Sequence, residues 1–193
     1  LSGFLPEGRR LPDEVWRIRH TGLTWLLWAH VPALFVFALI RGFSPAMGAL
    51  ECSVLLIPGA AAMIPRLGRN VRSASTSLGL VIAASILVHL SGGVIEAHFE
   101  FFGVITLLML YSDWLPFALA LTFVLAHHAV LGLLVSRLVF DHGGPPWLWA
   151  LIHAGFVLAL AAANIVVWRG TETLQHDPDT GVCSRDHVLQ RAR

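Results

Sequence analysis

Long apolar segments alternate with short polar ones along the chain. Six of the apolar segments approach the roughly 20 residues that a helix needs to cross a hydrocarbon layer about 30 Å thick. They comprise residues 23–41, 47–64, 75–90, 94–111, 115–139 and 147–168. The stretches between them are rich in Gly, Pro, Ser and Asp, which favour turns. The pattern predicts an all-α, polytopic membrane protein built as a bundle of six transmembrane helices.

The separator Ser91-Gly92-Gly93 has two interpretations. Paired glycines either turn the chain or kink one long helix. We favour the turn, because residues 94–111 then form a segment that is long enough to span the membrane.

The composition agrees with a membrane location. Of 193 residues, 56% are hydrophobic and 13% are charged, which leaves too few polar residues to cover a soluble domain. The formal net charge of +1 gives no reason to expect a nucleic-acid partner. The lipid bilayer is the expected surrounding.

The arginines predict an orientation. Most of them lie before the first segment, between the second and third, or after the sixth: Arg9, Arg10, Arg17, Arg19, Arg66, Arg69, Arg72 and Arg169. Only Arg41 and Arg137 fall on the opposite side. Because cytoplasmic loops carry an excess of basic residues, both termini are predicted to be cytoplasmic, in a multi-pass protein of the bacterial inner membrane. Residues 1–20 then form a cytoplasmic N-terminal segment and residues 21–170 the membrane domain.

Ionisable residues inside the predicted spans are candidates for function. A charged side chain at mid-helix costs about 2.5–3.5 kcal/mol on insertion scales. The spans nevertheless contain six histidines and three glutamates: His30, His89, His98, His127, His128, His153, Glu51, Glu96 and Glu100. At a rise of about 1.5 Å per residue, most of these fall in the outer half of the bundle, and His30 alone is expected nearer the cytoplasm.

Imidazoles from several helices at one depth suit a bound cofactor. The predicted ligands are His89, His98, His127, His128 and His153. Haem b, which needs one or two axial imidazoles in an apolar slot, is the preferred cofactor. A copper or zinc ion, which needs three or four nitrogen or oxygen ligands, is the alternative, and its candidate ligands are His98, His128, His153, Glu96 and Glu100.

The helical period limits which of these side chains can act together. Adjacent His127 and His128 diverge by about 100° around an α-helix, so at most one of them is expected to point straight at a given centre. For His30, a hydrogen bond between helices is the preferred interpretation. Gly155, Ala159 and Ala163 recur every four residues on the sixth span, a small-residue face suited to a homodimer seam.

The polar tail of the chain resembles a signalling domain. It contains the run His176-Asp177-Pro178-Asp179-Thr180-Gly181-Val182-Cys183-Ser184-Arg185. This run is similar to the opening of the GGDEF domain of diguanylate cyclases, which commonly reads H-D-x-L-T-G-L-x-N-R. Asp179 and Ser184 depart from that pattern. The resemblance implies that residues 171–193 form a signalling linker and the start of a GGDEF-like domain in cis. No catalytic residue is predicted here: this fragment is not expected to be an enzyme, whereas its parent protein would be a diguanylate cyclase that works as a dimer.

A second resemblance covers most of residues 15–170. This part of the chain resembles the six-helix sensor region that precedes GGDEF and EAL domains, or chemoreceptor signalling domains, in many bacterial proteins. The resemblance lies in the run Val88-His89-Leu90-Ser91-Gly92-Gly93, followed by Glu96-Ala97-His98-Phe99-Glu100-Phe101-Phe102, Tyr111-Ser112-Asp113-Trp114 and His127-His128. In those sequences the motif often reads H-F-H-F-F, and Glu100 replaces its second histidine here.

The sequence therefore predicts a membrane sensor that binds haem b or a transition metal and regulates a cytoplasmic cyclic-di-GMP output domain. A change at the centre would favour one helix packing over another, and the sixth span would transmit it. The alternatives are a membrane electron-transfer cytochrome, a metal transporter, and a cofactor-free membrane anchor or dimerisation domain.

Overall fold

The structure, a computed structural model, describes residues 5–135, 139–141 and 143–176, with the backbone alone for 173–176. Its main helices are α1 (Asp13–Ile40), α2 (Pro45–Ser53), α3 (Leu56–Met63), α4 (Arg69–Ser91), α5 (Ile95–Leu108), α6 (Trp114–Ala126) and α7 (Pro146–His176). A 3₁₀ turn (Met109–Tyr111) extends α5. A π-helical turn (His127–Leu131) and a last helical turn (Gly132–Leu134) extend α6.

Local sequence determines where several helices begin and end. The Ser44 hydroxyl accepts a hydrogen bond from the Met47 amide, and Pro45 occupies the first turn of α2, a common way to begin a helix. The Asp113 carboxylate caps α6 by accepting from the amide of the second residue of that helix. Helix α4 ends at Ser91 and is followed by Gly92, whose φ of 81° lies in the left-handed region that an L side chain rarely adopts.

Helix α4 lies at the centre of the bundle and packs against α1, α3, α5 and α6. Small residues on it allow close approach of its neighbours. A Cβ on Gly79, for example, would lie 2.5 Å from Cδ2 of Leu27 on α1. The core therefore runs along α4, whereas α7 keeps most of its surface exposed.

The predicted fold class is confirmed, since the part of the chain that the structure describes is helical and contains no strand. Within the described ranges, five helical stretches are long and apolar enough to cross a membrane: Asp13–Ile40, Pro45–Met63, Arg69–Ser91, Trp114–Leu134 and Pro146–Glu172. The remaining predicted span, residues 94–111, contains the shorter helix α5 of 14 residues. The turn at Gly92-Gly93 is confirmed, with φ of 81° at both residues.

Other boundaries differ from the prediction. Helix α1 begins at Asp13, within the segment that we assigned to the N-terminal region. The second predicted span is two helices, because the α-helix breaks between Ser53 and Leu56. Arg137 and the GGDEF-like residues after His176 lie outside the described residues.

The bundle has two distinct ends. At the terminal end, residues 5–12 contact α7, where the Glu7 amide donates to the Glu172 carboxylate over 2.7 Å. In the structure we call residues 5–12, which precede α1, the N-terminal segment. At the distal end, Arg41 after α1 donates to the carbonyl oxygens of Leu90 and Ser91 at the end of α4. The candidate site lies towards the distal end.

Candidate functional site

Three histidine rings from three helical segments meet towards the distal end. The ring centroids of His98 on α5 and His153 on α7 are 4.8 Å apart, and His128 in the π-helical turn lies 5.4 Å from His98 and 5.3 Å from His153. All three residues are buried. We call His98, His128 and His153 the histidine cluster.

The hydrogen bonds of the histidine cluster determine its tautomers. In each ring Nδ1 lies against the backbone carbonyl oxygen four residues earlier: Val94 at 3.0 Å, Val124 at 2.8 Å and Trp149 at 2.8 Å. A carbonyl oxygen only accepts, so Nδ1 donates in all three rings. Each neutral imidazole therefore has its basic lone pair on Nε2. Metal-binding histidines have this same arrangement, with the second nitrogen oriented by a carbonyl.

The π-helical turn places both residues of the His127-His128 pair in the interior. The hydrogen bonds of a π turn join residues five apart, so the angle between successive side chains around the axis differs from that in an α-helix. Such turns occur often at functional sites. His128 contacts the other cluster rings, whereas His127 packs against Phe101 and Phe123, with centroids at 5.6 and 6.3 Å. His127 thus belongs to the wall of the site.

Aromatic side chains enclose the histidine cluster. Phe101 on α5 contacts His128 with a centroid distance of 5.3 Å. The Phe140 ring lies 6.2 Å from His98, 6.2 Å from His128 and 5.2 Å from His153. The loop with Phe140 also approaches the turn between α4 and α5, since the amide of the next residue donates to the Gly93 carbonyl oxygen over 3.2 Å.

The spacing of the cluster fits three imidazoles around one small ion. With metal–nitrogen bonds of about 2.0–2.1 Å in a tetrahedral arrangement, the ring centroids of two ligands lie about 5.2 Å apart. The observed separations run from 4.8 to 5.4 Å. Among the described residues, the buried Nε2 of His128 also has no hydrogen-bond partner. The ring positions and tautomers therefore suit an ion.

The side-chain orientations do not complete a metal site. Across the described ranges, no group of three or more His, Cys, Asp or Glu side chains meets the geometry needed to hold an ion. Ion binding would therefore require at least a rotation of the rings. A haem fits less well, since a porphyrin would have to separate rings that contact one another here.

The predicted carboxylate ligands have other surroundings. Glu96 is exposed. Glu100 faces α1, where its Oε1 is 3.2 Å from Nε2 of His30. This contact joins two helices, the role that we preferred for His30, and it places Glu100 at the depth of that histidine. The Nδ1 of His30 lies 2.8 Å from the Leu26 carbonyl oxygen within α1.

His89, another predicted cofactor ligand, forms a second His–Glu pair. Its Nε2 lies 3.4 Å from Oε1 of Glu51 on α2. Its ring packs against Phe43 with a centroid distance of 6.4 Å. The structure thus divides the predicted site residues into the histidine cluster with its neighbour His127, two separate His–Glu pairs, and the exposed Glu96.

The sequence reasoning missed a buried polar group near the terminal end. His20 lies 2.8 Å through Nδ1 from the Tyr111 hydroxyl and 3.0 Å through Nε2 from the Ala62 carbonyl oxygen. Since the carbonyl only accepts, Nε2 carries the proton and Tyr111 donates to Nδ1. This tautomer is opposite to that of the histidine cluster. Both nitrogens are engaged within the protein, which is typical of a structural histidine.

Comparison with known proteins finds a similar signalling protein. The chain is 37% identical over 184 aligned residues to "Transducer protein Htr8" of Halobacterium salinarum. The alignment covers 88% of this chain and 29% of Htr8, so the chain corresponds to less than a third of that protein's length. No family model matches the chain, and no solved structure matches it.

Proposed function

We propose that this chain is the membrane sensory domain of a signalling protein, and that the histidine cluster binds one copper or zinc ion as its sensing centre. The observation that carries the proposal is the meeting of three buried imidazoles, each with Nδ1 donating to a carbonyl, at centroid separations of 4.8–5.4 Å. Haem b, which the sequence favoured, is the weaker candidate because the rings contact one another.

The likeness to Htr8, which is named a transducer, supports the signalling role. The alignment covers nearly all of this chain, so the likeness includes the membrane helices. The long apolar helices are those of a multi-pass membrane protein. Together these observations favour reception of a signal over membrane anchoring alone.

Three helical segments would be joined at the ion. His98, His128 and His153 would hold it through Nε2, with the rings turned from the orientations in which Nδ1 donates to the backbone carbonyls. A zinc or copper ion with three nitrogen ligands supplies a Lewis-acidic or redox-active centre that accepts one further ligand. Phe101 and Phe140 would keep bulk water from the rings.

Helix α7 connects the site to the rest of the protein. It contains His153 and continues as a helix to His176, beyond the contact with the N-terminal segment at the terminal end. A change in how His153 is held would therefore shift a helix that leads to the GGDEF-like residues of the tail. The proposed output domain lies in cis and, from the GGDEF-like pattern after Gln175, controls cyclic di-GMP.

This fragment is proposed to be the non-enzymatic part of its parent protein. Incubation of the full-length parent with GTP tests whether that protein is a diguanylate cyclase: formation of cyclic di-GMP supports the proposed output. If none forms with or without metal, the cyclic-di-GMP output is wrong, and a transducer output of the kind that the name of Htr8 indicates takes its place.

Dimerisation and orientation belong to the same proposal. Gly155, Ala159 and Ala163 are all exposed on α7, and a Cβ built on Gly155 meets no atom of the described residues within 4 Å. A second copy of α7 in the bilayer is the proposed neighbour of this face.

The termini are proposed to be cytoplasmic, in a bacterial inner membrane. Labelling of single cysteines from either side of the membrane tests that orientation.

Metal binding to the full chain in detergent tests the sensing centre. We expect the protein to retain about one copper or zinc ion after dialysis, and to unfold at a higher temperature with the ion than without it. His98→Gln, His128→Gln and His153→Gln are each expected to lose the ion and the thermal shift. His89→Gln is the matched control, because His89 pairs with Glu51 and packs on Phe43, away from the cluster.

Two other outcomes would replace the proposed centre. A Soret band that responds to reduction and is lost in the same variants would indicate haem b, and a membrane electron-transfer cytochrome would become the leading function. Protein that retains neither metal nor haem, with unchanged thermal stability on metal addition, would indicate a cofactor-free anchor or dimerisation domain.

A further inference from the structure

The N-terminal segment holds the last helix through a group of backbone amides. Three successive N–H groups donate to the Glu172 carboxylate: Glu7 over 2.7 Å, Gly8 over 3.0 Å and Arg9 over 3.4 Å. Convergence of successive amides on one anion is the arrangement known as a nest. Glu172 lies one helical turn after the buried Trp168 on α7. The contact therefore joins the N-terminal segment to the C-terminal part of α7.

The nest depends on a glycine. Gly8 has φ of +69°, in the left-handed region that lets neighbouring amides point to one side and that L side chains rarely adopt. A Cβ at this position would also lie 2.7 Å from Cδ1 of Trp114. Both the backbone conformation and the close approach thus require Gly at position 8.

Aromatic packing fixes the nest to the bundle. The Trp114 indole N–H donates to the Pro6 carbonyl oxygen over 3.1 Å. The same indole lies 4.9 Å from the ring of Trp168 on α7, measured between centroids. Trp114 begins α6, so the N-terminal segment contacts α6 and α7 at once. Its position therefore depends on how these two helices are placed relative to each other.

We infer that the N-terminal segment is a clasp on α7, closed by the Glu172 carboxylate, that fixes the part of the helix from which the chain continues. The role of the clasp rests on the proposed function, because a clasp on α7 would control how movement at His153 reaches the proposed output domain. The clasp itself is independent of any bound metal. The C-terminal part of α7 moves away from the bundle only when the three amides release Glu172.

Trypsin cleavage after Arg9 and Arg10 measures opening of the clasp. Both bonds lie in or next to the nest, and a backbone held in place is cleaved only when it opens. Glu172→Gln removes the charge that the three amides share. We expect it to raise the cleavage rate about tenfold or more, which corresponds to about 1.4 kcal/mol. Gly8→Ala, which prevents the nest conformation, is expected to do the same.

Two controls make the measurement specific. Cleavage after the exposed Arg66, in the loop between α3 and α4, should stay at its wild-type rate in every variant. Glu14→Gln removes an exposed carboxylate from α1 and should leave cleavage after Arg9 and Arg10 unchanged. The double variant of Gly8→Ala with Glu172→Gln should be no faster than the faster single variant, because both open the same contact.

Wild-type cleavage rates after Arg9 and Arg10 in both single variants would overturn the clasp. An equal rise after Arg66 would also overturn it, because the bundle would then have loosened as a whole. Metal retention measured on the same samples separates the two proposals. Glu172→Gln should keep its ion if the histidine cluster is the metal site, whereas loss of the ion in His128→Gln should leave the wild-type cleavage pattern intact.

Discussion

Substitution of Gly93 by alanine should disturb the cover of the histidine cluster, and the same substitution of Gly92 should not. The two glycines are neighbours with the same φ of 81°, so either substitution forces a side chain into a left-handed backbone. They differ in what surrounds them. A Cβ on Gly93 would lie 2.8 Å from the backbone carbon of Val139 and 2.8 Å from the nitrogen of Phe140. Among the described residues, a Cβ on Gly92 meets only the Arg41 guanidinium, at 3.9 Å.

The difference in stability between Gly93→Ala and Gly92→Ala follows from these contacts. The left-handed conformation costs an L residue about 1–2 kcal/mol, and both variants lose this much. Gly93→Ala adds a clash with backbone, which cannot rotate away, and forced overpacking costs typically about 1–3 kcal/mol. At roughly 2–4 °C per kcal/mol for a chain of this size, Gly93→Ala should unfold roughly 2–12 °C below Gly92→Ala.

Thermal unfolding in one detergent, followed by metal retention, checks both parts of this reasoning. The loop that the new methyl group of Gly93→Ala pushes away is the loop that places Phe140 over His153. We therefore expect Gly93→Ala to release its ion faster than Gly92→Ala on exposure to a chelator. Equal unfolding temperatures and equal release rates in the two variants would refute the assigned role of the Gly93 contact.

Three further predictions concern single contacts. Tyr111→Phe should destabilise the protein by about 1–3 kcal/mol, because Nδ1 of the buried His20 loses its donor; an unchanged unfolding temperature would contradict the assigned tautomer. Glu100→Gln should leave metal retention at the wild-type level, since Glu100 pairs with His30 and not with the cluster, and loss of the ion would return Glu100 to the ligand set. Gly155→Leu should lower the dimer fraction seen by cross-linking in membranes without changing metal content. Gly103→Leu on α5 is the matched control, since Gly103 is also exposed and its Cβ would meet no described atom within 4 Å. An equal loss of dimer in both variants would remove the α7 face as the seam.

The helices could be predicted from the sequence because membrane spans leave long apolar runs. The turn at Gly92-Gly93 was also predictable, since two glycines supply the left-handed residues that end a helix. The start of α1 could not be predicted from the sequence. Its first turns carry Asp13, Glu14 and Arg17, and hydropathy alone assigns such residues to a polar segment even when they are helical.

The members of the histidine cluster and their common depth could be predicted from the sequence, but the contacts of the individual side chains could not. Depth along each helix follows from residue number, which is why His98, His128 and His153 were expected together. Rotation about the helix axis and the order of helices around the bundle do not follow from it. The position of Glu100 against His30 was therefore missed, and the π-helical turn after Ala126 had no signal in the hydrophobic period.

X-ray absorption at the metal edge of the copper- or zinc-loaded chain tests the central claim most directly. We predict three imidazole nitrogens at about 2.0–2.1 Å, and no bound metal with imidazole ligands in His153→Gln after dialysis. A porphyrin spectrum, a shell of oxygen ligands without imidazole, or a spectrum unchanged by removal of His153 would contradict a metal centre in the histidine cluster.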